Sequence, residues 1–323
     1  MSAYRREIAV ALVYVGLLAL LLIAAPGFYR GGQFRAILVA CSPTLIAATG
    51  MTLVILSRNI DISIGSQFSL CGILAGLMAK SGWPMPLVAV GTVLIGSLLG
   101  AVNGGLIAGL GLPSIVVTLA TMVIWRESLR WWREGEFVRG LPADFQWFGG
   151  GQDVGQWLVI GIGLLVAAGF AWSLKNLSAG RAVYATGSNP EAAFLAGIRP
   201  QRVLFSVFVL MGGLCGLAAV LHSVRFAAVD PTAGTGMELQ VIAAVVVGGV
   251  AISGGRGTLI GAALGVLLLT TIRPALVFLG AEAHWEKAIQ GAIILLAVAV
   301  DAIPKTAKSL SQYSPSPSGR GPG

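Results

Sequence analysis

Charged side chains are what this sequence most conspicuously lacks. Lys, Arg, Asp and Glu make up 11% of its 323 residues, while 56% are hydrophobic; soluble domains carry about 25% charge. With a mean hydropathy of +0.87, water could not solvate a fold made from this chain. That excludes a soluble globular protein and points to a polytopic membrane protein. Histidine is nearly absent: His222 and His284 are too few and too far apart for a metal site. The three cysteines, Cys41, Cys71 and Cys215, lie in apolar runs and form no C-x-x-C, as small core hydrophobes do. No G-x-x-x-x-G-K-S/T is present, so the chain is not expected to hydrolyse ATP. No G-x-S-x-G, H-E-x-x-H or nucleophile–base pairing marks an enzyme, and nothing calls for a cofactor. Gly255-Arg256-Gly257 followed by Gly261 has the wrong spacing and surroundings for a dinucleotide loop. No basic patch interleaved with aromatics lies outside the apolar runs. The net charge of +8 is therefore assigned to Lys and Arg facing anionic lipid, and not to nucleic acid.

What is present is a succession of apolar runs. Ile8 to Pro26 follows Arg5 and Arg6. It is longer than a signal-peptide core and reads as a first span with its N-terminus in the cytoplasm. Further runs are Ala36–Leu56, a third ending near Ala79, Leu87–Leu110, one opening with Ile115–Ile124, Gln156–Leu174 and Val203–Leu221. A short run containing Val241–Ile252, then Leu259–Leu279, and one containing Ala288–Val300 complete the series. The expected fold is all-α and polytopic, with about ten transmembrane helices of roughly twenty residues each. Residues 1–303 form one transmembrane domain. Residues 304–323, rich in Ser, Pro and Gly, are expected to be a disordered cytoplasmic tail. Strict alternation then puts Arg58, the 175–202 stretch, Arg256 and both termini in the cytoplasm, where Lys and Arg collect. The 125–153 loop strains the scheme, because Arg126, Arg130, Arg133 and Arg139 must lie outside.

Two glycine ladders suggest internal symmetry. The fourth span contains Gly96, Gly100 and Gly104; the ninth begins Gly257, Gly261 and Gly265. Glycine at every fourth position bares one helix face, so two backbones can approach and pack where lipid offers no hydrophobic drive. The two spans run in opposite directions, which predicts two inverted repeats, spans two to five and seven to ten.

Polar residues inside the apolar frame are few. Asp61 is the costliest to place near hydrocarbon. Arg58 and Asn59 stand beside it, Ser63 and Ser66 can donate to it, and it is expected to cap or turn the chain into the third span. Asn103 shares a helix face with Gly96 and Gly100. Asn59, Asp61, Ser63 and Asn103, with the ladder glycines, are the candidates for helix packing or for the translocation pathway. Gln240 and Arg273 are weaker candidates; a helix break at Pro274 would release the Arg273 guanidinium to water.

The stretch from Lys175 to Arg202 is the longest polar interruption that also carries helix signals. Asn189 precedes Pro190 and Glu191, an N-cap followed by a first-turn proline and acid. Gly197 can end that helix and Pro200 stops it from resuming at once. By these residues alone it is a solvated loop containing a helical turn, one that a partner could grip to move the spans on either side.

Glu191-Ala192-Ala193, three residues and Gly197 resemble the EAA loop of permease subunits of bacterial ABC importers. Asn59-Ile60-Asp61-Ile62-Ser63-Ile64-Gly65-Ser66 is similar to the IDLSVGS signature of the ribose-type sugar permeases. Gly100-Ala101-Val102-Asn103-Gly104, Leu112 to Met122, Gly180 to Ala193 and Val247 to Gly257 resemble further blocks of that family. Gly140-Leu141-Pro142-Ala143 and the Arg58–Asp61 variant look most like its autoinducer-2 and rhamnose members. The resemblance spans about Leu45 to Ala302. It implies the inner-membrane subunit of an importer for a small sugar such as rhamnose, ribose or autoinducer-2. It implies four kinds of neighbour: a second permease subunit, identical or homologous; cytoplasmic ATP-binding subunits; a periplasmic sugar-binding protein; and membrane lipid. It assigns Asn189, Pro190, Glu191, Ala192, Ala193 and Gly197 to ATPase coupling. The rival reading is a stand-alone channel or ion-coupled secondary transporter. That would need paired intramembrane acids, for which Asp61 alone is thin support.

Overall fold

Where no water can bond to the backbone, an apolar run has to satisfy its own amides and carbonyls, and it does so as helix. A computed structural model describes residues 5–282, 285–293 and 295. The named helices are α1 (Arg5–Ala24), α2 (Gln33–Leu56), α3 (Ile64–Lys80), α4 (Met85–Gly104, continued by a π turn to Gly109) and α5 (Ser114–Arg133). They continue with α6 (Gly151–Asn176), α7 (Ser178–Ser188), α8 (Pro190–Leu195), α9 (Pro200–Ser223), α10 (Met237–Val247) and α11 (Leu259–Phe278). Residues 285–293 are also helical. No strand occurs among the described residues.

Six of these helices are long and apolar enough to cross a membrane: α1, α2, α4, α6, α9 and α11. The ten-span expectation diverges from this for physical reasons. At 1.5 Å per residue, the 11 residues of α10 reach about 16 Å, half of a ~30 Å hydrocarbon core. α3 has 17 residues and starts only after the non-helical stretch 57–63. α5 is long enough, but Arg126, Glu127, Arg130 and Arg133 occupy its last turns. The expected tenth span is described only through residue 293 and at 295, and the 304–323 tail lies outside the described residues.

α2 is the axis of the bundle. Of its span 89% is buried, against 17% for α1 and 22% for α6. Burying so much helix requires its hydroxyls to be satisfied within it. Thr49 and Thr52 donate to the carbonyls of Leu45 and Ala48, at 2.8 and 2.7 Å. The outer helices α1, α4 and α6 present Leu, Val, Ile and Trp outward, as a lipid-facing surface does.

The two glycine ladders meet different partners. In α4, Gly96 and Gly100 lie against Gly212 of α9. A Cβ on Gly212 would stand 2.8 Å from the Gly100 nitrogen, and one on Gly216 would stand 2.5 Å from the Thr92 carbonyl oxygen. Here a second ladder, Gly212-x-x-x-Gly216, answers the first, and α4 and α9 form the most extensive helix pair of the bundle. Gly261 and Gly265 instead face Ala244 of α10 and Gly248 just after it. Gly257 is not on that helix face at all. It sits in the preceding turn with φ +139°, where a Cβ would be 2.6 Å from the Val250 Cα.

The molecule has two distinct ends. At one, the C-terminus of α2, helices α7 and α8 and the 254–257 turn come together, with Glu7 of α1 bonded to Thr258. At the other, the 134–150 segment meets the 224–236 loop. Val138 and Val229 pair backbone to backbone there, at 3.0 and 3.1 Å. So Arg58, the 175–202 stretch, Arg256 and the start of α1 share one end, and the arginine-rich 125–153 loop lies at the other.

Candidate functional site

Two interruptions, 57–63 and 224–236, turn back into the bundle, so that α3 and α10 begin inside it. The stretch before α10 rests on the first turn of α3. The Gly234 amide donates to the Ser69 hydroxyl at 3.0 Å, and Gly65 has no room for a side chain against the Gly234 carbonyl and Glu238. Irregular backbone at this depth survives only where protein covers it and its polar groups find partners.

Asp61 supplies the partners on the α3 side. Its side chain is completely buried. One carboxylate oxygen accepts the Ser63 backbone N–H at 2.9 Å, forming an Asx turn into α3, and also the Ser63 hydroxyl at 2.5 Å. The other accepts the Gln67 amide at 3.2 Å. The Ser63 oxygen in turn accepts from Gln67 at 2.7 Å and from Asn103 at 2.8 Å, and the Asn103 carbonyl accepts the Thr121 hydroxyl at 2.9 Å. One relay therefore ties α3, α4 and α5 together through Asp61, Ser63, Gln67, Asn103 and Thr121. Arg58, the expected partner, turns away. It is exposed at φ +68° after α2, and no ion pair joins it to Asp61 among the described residues. Asn59 donates to the Ser57 carbonyl at 2.8 Å. On the α10 side, Glu238 is paired across the bundle with Arg126 at 3.2 Å; both are largely buried.

At the end where α2 finishes stands the α7–α8 pair. Asn189 caps α8, its side-chain oxygen accepting the Ala192 N–H at 3.0 Å, and Pro190 occupies the first helical position. Gly197 closes the helix at φ +82°. Its N–H bonds the Phe194 carbonyl at 2.9 Å and the Ile198 N–H bonds that of Ala193 at 3.0 Å, which is a Schellman motif. Pro200 does more than delay the next helix: it is the first residue of α9. Only Ala193 of α8 is buried. Phe194 is 64% and Leu195 86% exposed, so two large apolar side chains project from a short, firmly capped helix.

That helix is seated on the core through α7. The Tyr184 hydroxyl donates to the Gly257 carbonyl at 2.8 Å, and burial, then the Glu7 carboxylate, push the phenol pKa up, keeping it a neutral donor. Gly187 lies directly on the Leu56 carbonyl, which also accepts the Gly255 N–H at 2.9 Å. The Thr258 hydroxyl caps α11 by accepting from Gly261 at 3.1 Å and donates to Glu7. α7 is thus joined to the ends of α1, α2 and α11 by short polar and packing contacts.

The coupling candidates Asn189 to Ala193 and Gly197 all fall in this one element. Asp61, Ser63 and Asn103 fall in a second cluster, away from it. Gln240 and Arg273 line a cavity of their own. Arg273 is not released by a helix break, since α11 runs through Pro274 to Phe278. Missed from the sequence were Gln67 and Thr121, which complete the relay, and α7 as a helix. The signal for α7 was weak because Gly180 and Gly187, poor helix formers, are needed for close approach to Leu174 and Leu56.

Residues 33–298 match the family described as branched-chain amino acid transport system / permease component. Among curated relatives, the chain is 37% identical over 289 residues to the autoinducer 2 import system permease protein LsrC of Escherichia coli O157:H7, covering 88% of this chain and 84% of that one. It is 36% identical over 300 residues to the LsrC of Shigella flexneri, covering 91% and 86%. It is 37% identical over 251 residues to that of Salmonella paratyphi B, covering 78% and 72%. No solved structure matches.

Proposed function

The chain belongs to the branched-chain amino acid transport system / permease component family, and from that premise we propose that it is the membrane subunit of a bacterial ABC importer carrying autoinducer-2 or a sugar of similar size. The relatives named for autoinducer 2 import, and the resemblance of Asn59–Ser66 to the sugar-permease signature, favour a sugar over an amino acid as passenger. A stand-alone channel or ion-coupled carrier finds no support in these relatives.

In this reading the α7–α8 end faces the cytoplasm, both chain termini lie on that side, and the outward end receives a periplasmic sugar-binding protein. α3, α5 and α10 are short or broken crossings that, with a last helix from residue 285 onward, bring the total to ten. The halves α2–α5 and α9–285 onward are inverted repeats: α3 and α10 both start inside the bundle, and α4 rests on α9 as α11 rests on α2. The unequal partners of the two glycine ladders mean that the repeat has diverged in packing. Residues 1–303 act as one domain, paired with a second permease subunit in the membrane. ATP hydrolysis belongs to cytoplasmic partner subunits. Their movement is delivered to α8, passes through α7 to the end of α2 and the 254–257 turn, and tilts the two halves. Asp61, Ser63 and Asn103 hold the broken start of α3 during that tilt; Gly96, Gly100, Gly261 and Gly265 let the moving helices stay in contact.

The observation carrying this reading is the exposed Phe194–Leu195 pair on a helix capped at both ends and bonded to the core at its base. The test is co-purification of the permease with its ATPase subunit. Leu195→Glu changes a side chain that contacts little of its own chain, so folding is untouched. Burying Leu in a partner is worth about 2 kcal/mol, so complex formation is expected to weaken about thirtyfold. Undiminished assembly and uptake would defeat the assignment.

A further inference from the structure

A cavity of about 460 Å³ opens toward the end of the bundle opposite α8, between α2, α3, the end of α9 with the 224–236 loop, α10, α11 and the 285–293 helix. At ~30 Å³ per water this is room for about fifteen waters, enough for a monosaccharide with some solvent. Its walls are mixed in character, unlike the almost wholly apolar groove between α1 and α11. On one side Phe68, His222 and Phe226 adjoin in series, the first pair edge-on and the second tilted, with ring centroids 5.3 and 5.1 Å apart, and the Arg225 guanidinium lies 5.4 Å over the Phe226 ring. On the other, Gln240 of α10 and Arg273 of α11 supply polar groups, Arg273 facing Glu286 at 3.8 Å.

Unused hydrogen-bonding capacity collects here. The Thr270 hydroxyl is buried beside the Cys41 thiol, a weak partner, and makes no hydrogen bond to oxygen or nitrogen among the described residues. Pro43 and Pro274 sit inside helices α2 and α11 and both line the cavity. Each lacks the N–H that would bond the carbonyl four residues back, so the Val39 and Thr270 carbonyls each lose that helical bond. Polar groups so weakly paired at this depth favour a ligand or ordered water.

We propose that this cavity is the resting site for the imported sugar on its way through the subunit, with the aromatic wall against the sugar's C–H face and Gln240, Thr270 and Arg273 bonding its hydroxyls. The proposal rests on the permease reading and adds the place where the passenger is held. Aromatic faces suit a ring with apolar C–H surfaces. Arginine is donor-only and Gln240 bonds either way, which matches hydroxyls rich in acceptor lone pairs. Arg225, Arg273 and Lys287 outnumber Glu286 on the wall, so a free cation would be repelled. That counts further against ion coupling through this route.

Protection of an introduced thiol tests this. Cys41, Cys71 and Cys215 are buried, so in Gln240→Cys the new thiol is the reactive one. The variant is assembled with its ATPase subunits in lipid vesicles and treated with a membrane-impermeant maleimide. D-ribose, L-rhamnose and autoinducer-2 serve in turn as probes, and Glu127→Cys near the exposed end of α5 is the unprotected control. At saturation, one probe is expected to slow labelling at position 240 severalfold and leave position 127 unaffected. Adding Thr270→Val removes one hydrogen bond of about 1 kcal/mol, so half-protection is expected at about fivefold higher probe concentration. A thiol at 240 that never reacts overturns the site. So does one labelled equally fast with and without every probe while the same vesicles take up one of them with ATP; the permease reading would survive that result. Failure of ATP-driven uptake of all three, together with no association with the ATPase, would overturn both.

Discussion

Gly187 separates the grip on α8 from the transmission of force through α7. Its Cα face lies on the Leu56 carbonyl. A methyl there would stand 2.9 Å from both the Leu56 carbonyl carbon and the Gly255 nitrogen, and nearer still to the carbonyl oxygen. Ordinary contact begins at 3.4 Å, so clearing the carbon alone requires a shift of at least about 0.5 Å (3.4 − 2.9), and the oxygen requires more. The Gly255 N–H to Leu56 bond, 2.9 Å in the native seam, stretches or breaks as α7 withdraws, and the Tyr184 bond to Gly257 is drawn out with it. Overpacking of this kind costs about 1–3 kcal/mol. What the seam can transmit is bounded by what holds it together. The Gly187→Ala permease is therefore expected to transport about 5- to 150-fold more slowly, while binding its ATPase normally through the unchanged Phe194 and Leu195. The assay measures uptake and ATP hydrolysis together, in vesicles containing receptor, permease and ATPase. Co-purification checks assembly. Uptake per ATP at the native level, with intact assembly, would refute the route through α7.

Gly100→Leu puts a branched side chain where a Cβ alone would already be 3.1 Å from the Gly212 Cα and closer to the Phe208 carbonyl. It is expected to cost at least about 3 kcal/mol and to remove most folded permease from membranes, whereas Gly109→Ala, which meets nothing within 4 Å, is expected to be silent. Yield and detergent melting temperature of the two proteins check this pair. Arg126→Gln leaves Glu238, 10% exposed at its side chain, without its cation, and a loss of about 3 kcal/mol is expected. Adding Glu238→Gln is expected to restore much of that loss, measured as non-additivity in a double-mutant melting cycle; strict additivity would mean that the two groups do not interact.

The coupling element is legible in the amino-acid sequence because its signals are local. An Asn-Pro-Glu start and a Gly stop act on the backbone within one turn, so a few neighbouring residues suffice to place the helix. The Asp61 relay is legible only in part. Its Asx turn joins residues two apart, yet its remaining members come from Gln67, Asn103 and Thr121 on three helices, and no periodicity in one segment can choose a partner in another. Arg58 illustrates the error this invites: adjacent in sequence, it is turned away by the left-handed conformation it occupies.

By itself the sequence determined solvent, the all-helical class and membership. A chain this poor in charge must live in lipid, lipid forces its backbone into helix, and its motif blocks mark the permease family. The tertiary structure alone decided which small faces touch: why one glycine ladder answers Gly212 in α9 while the other closes on α10, and how prolines, aromatics and arginines distant in sequence came to surround one polar cavity. Those outcomes depend on distances between helices, which a single strand of residues does not encode locally.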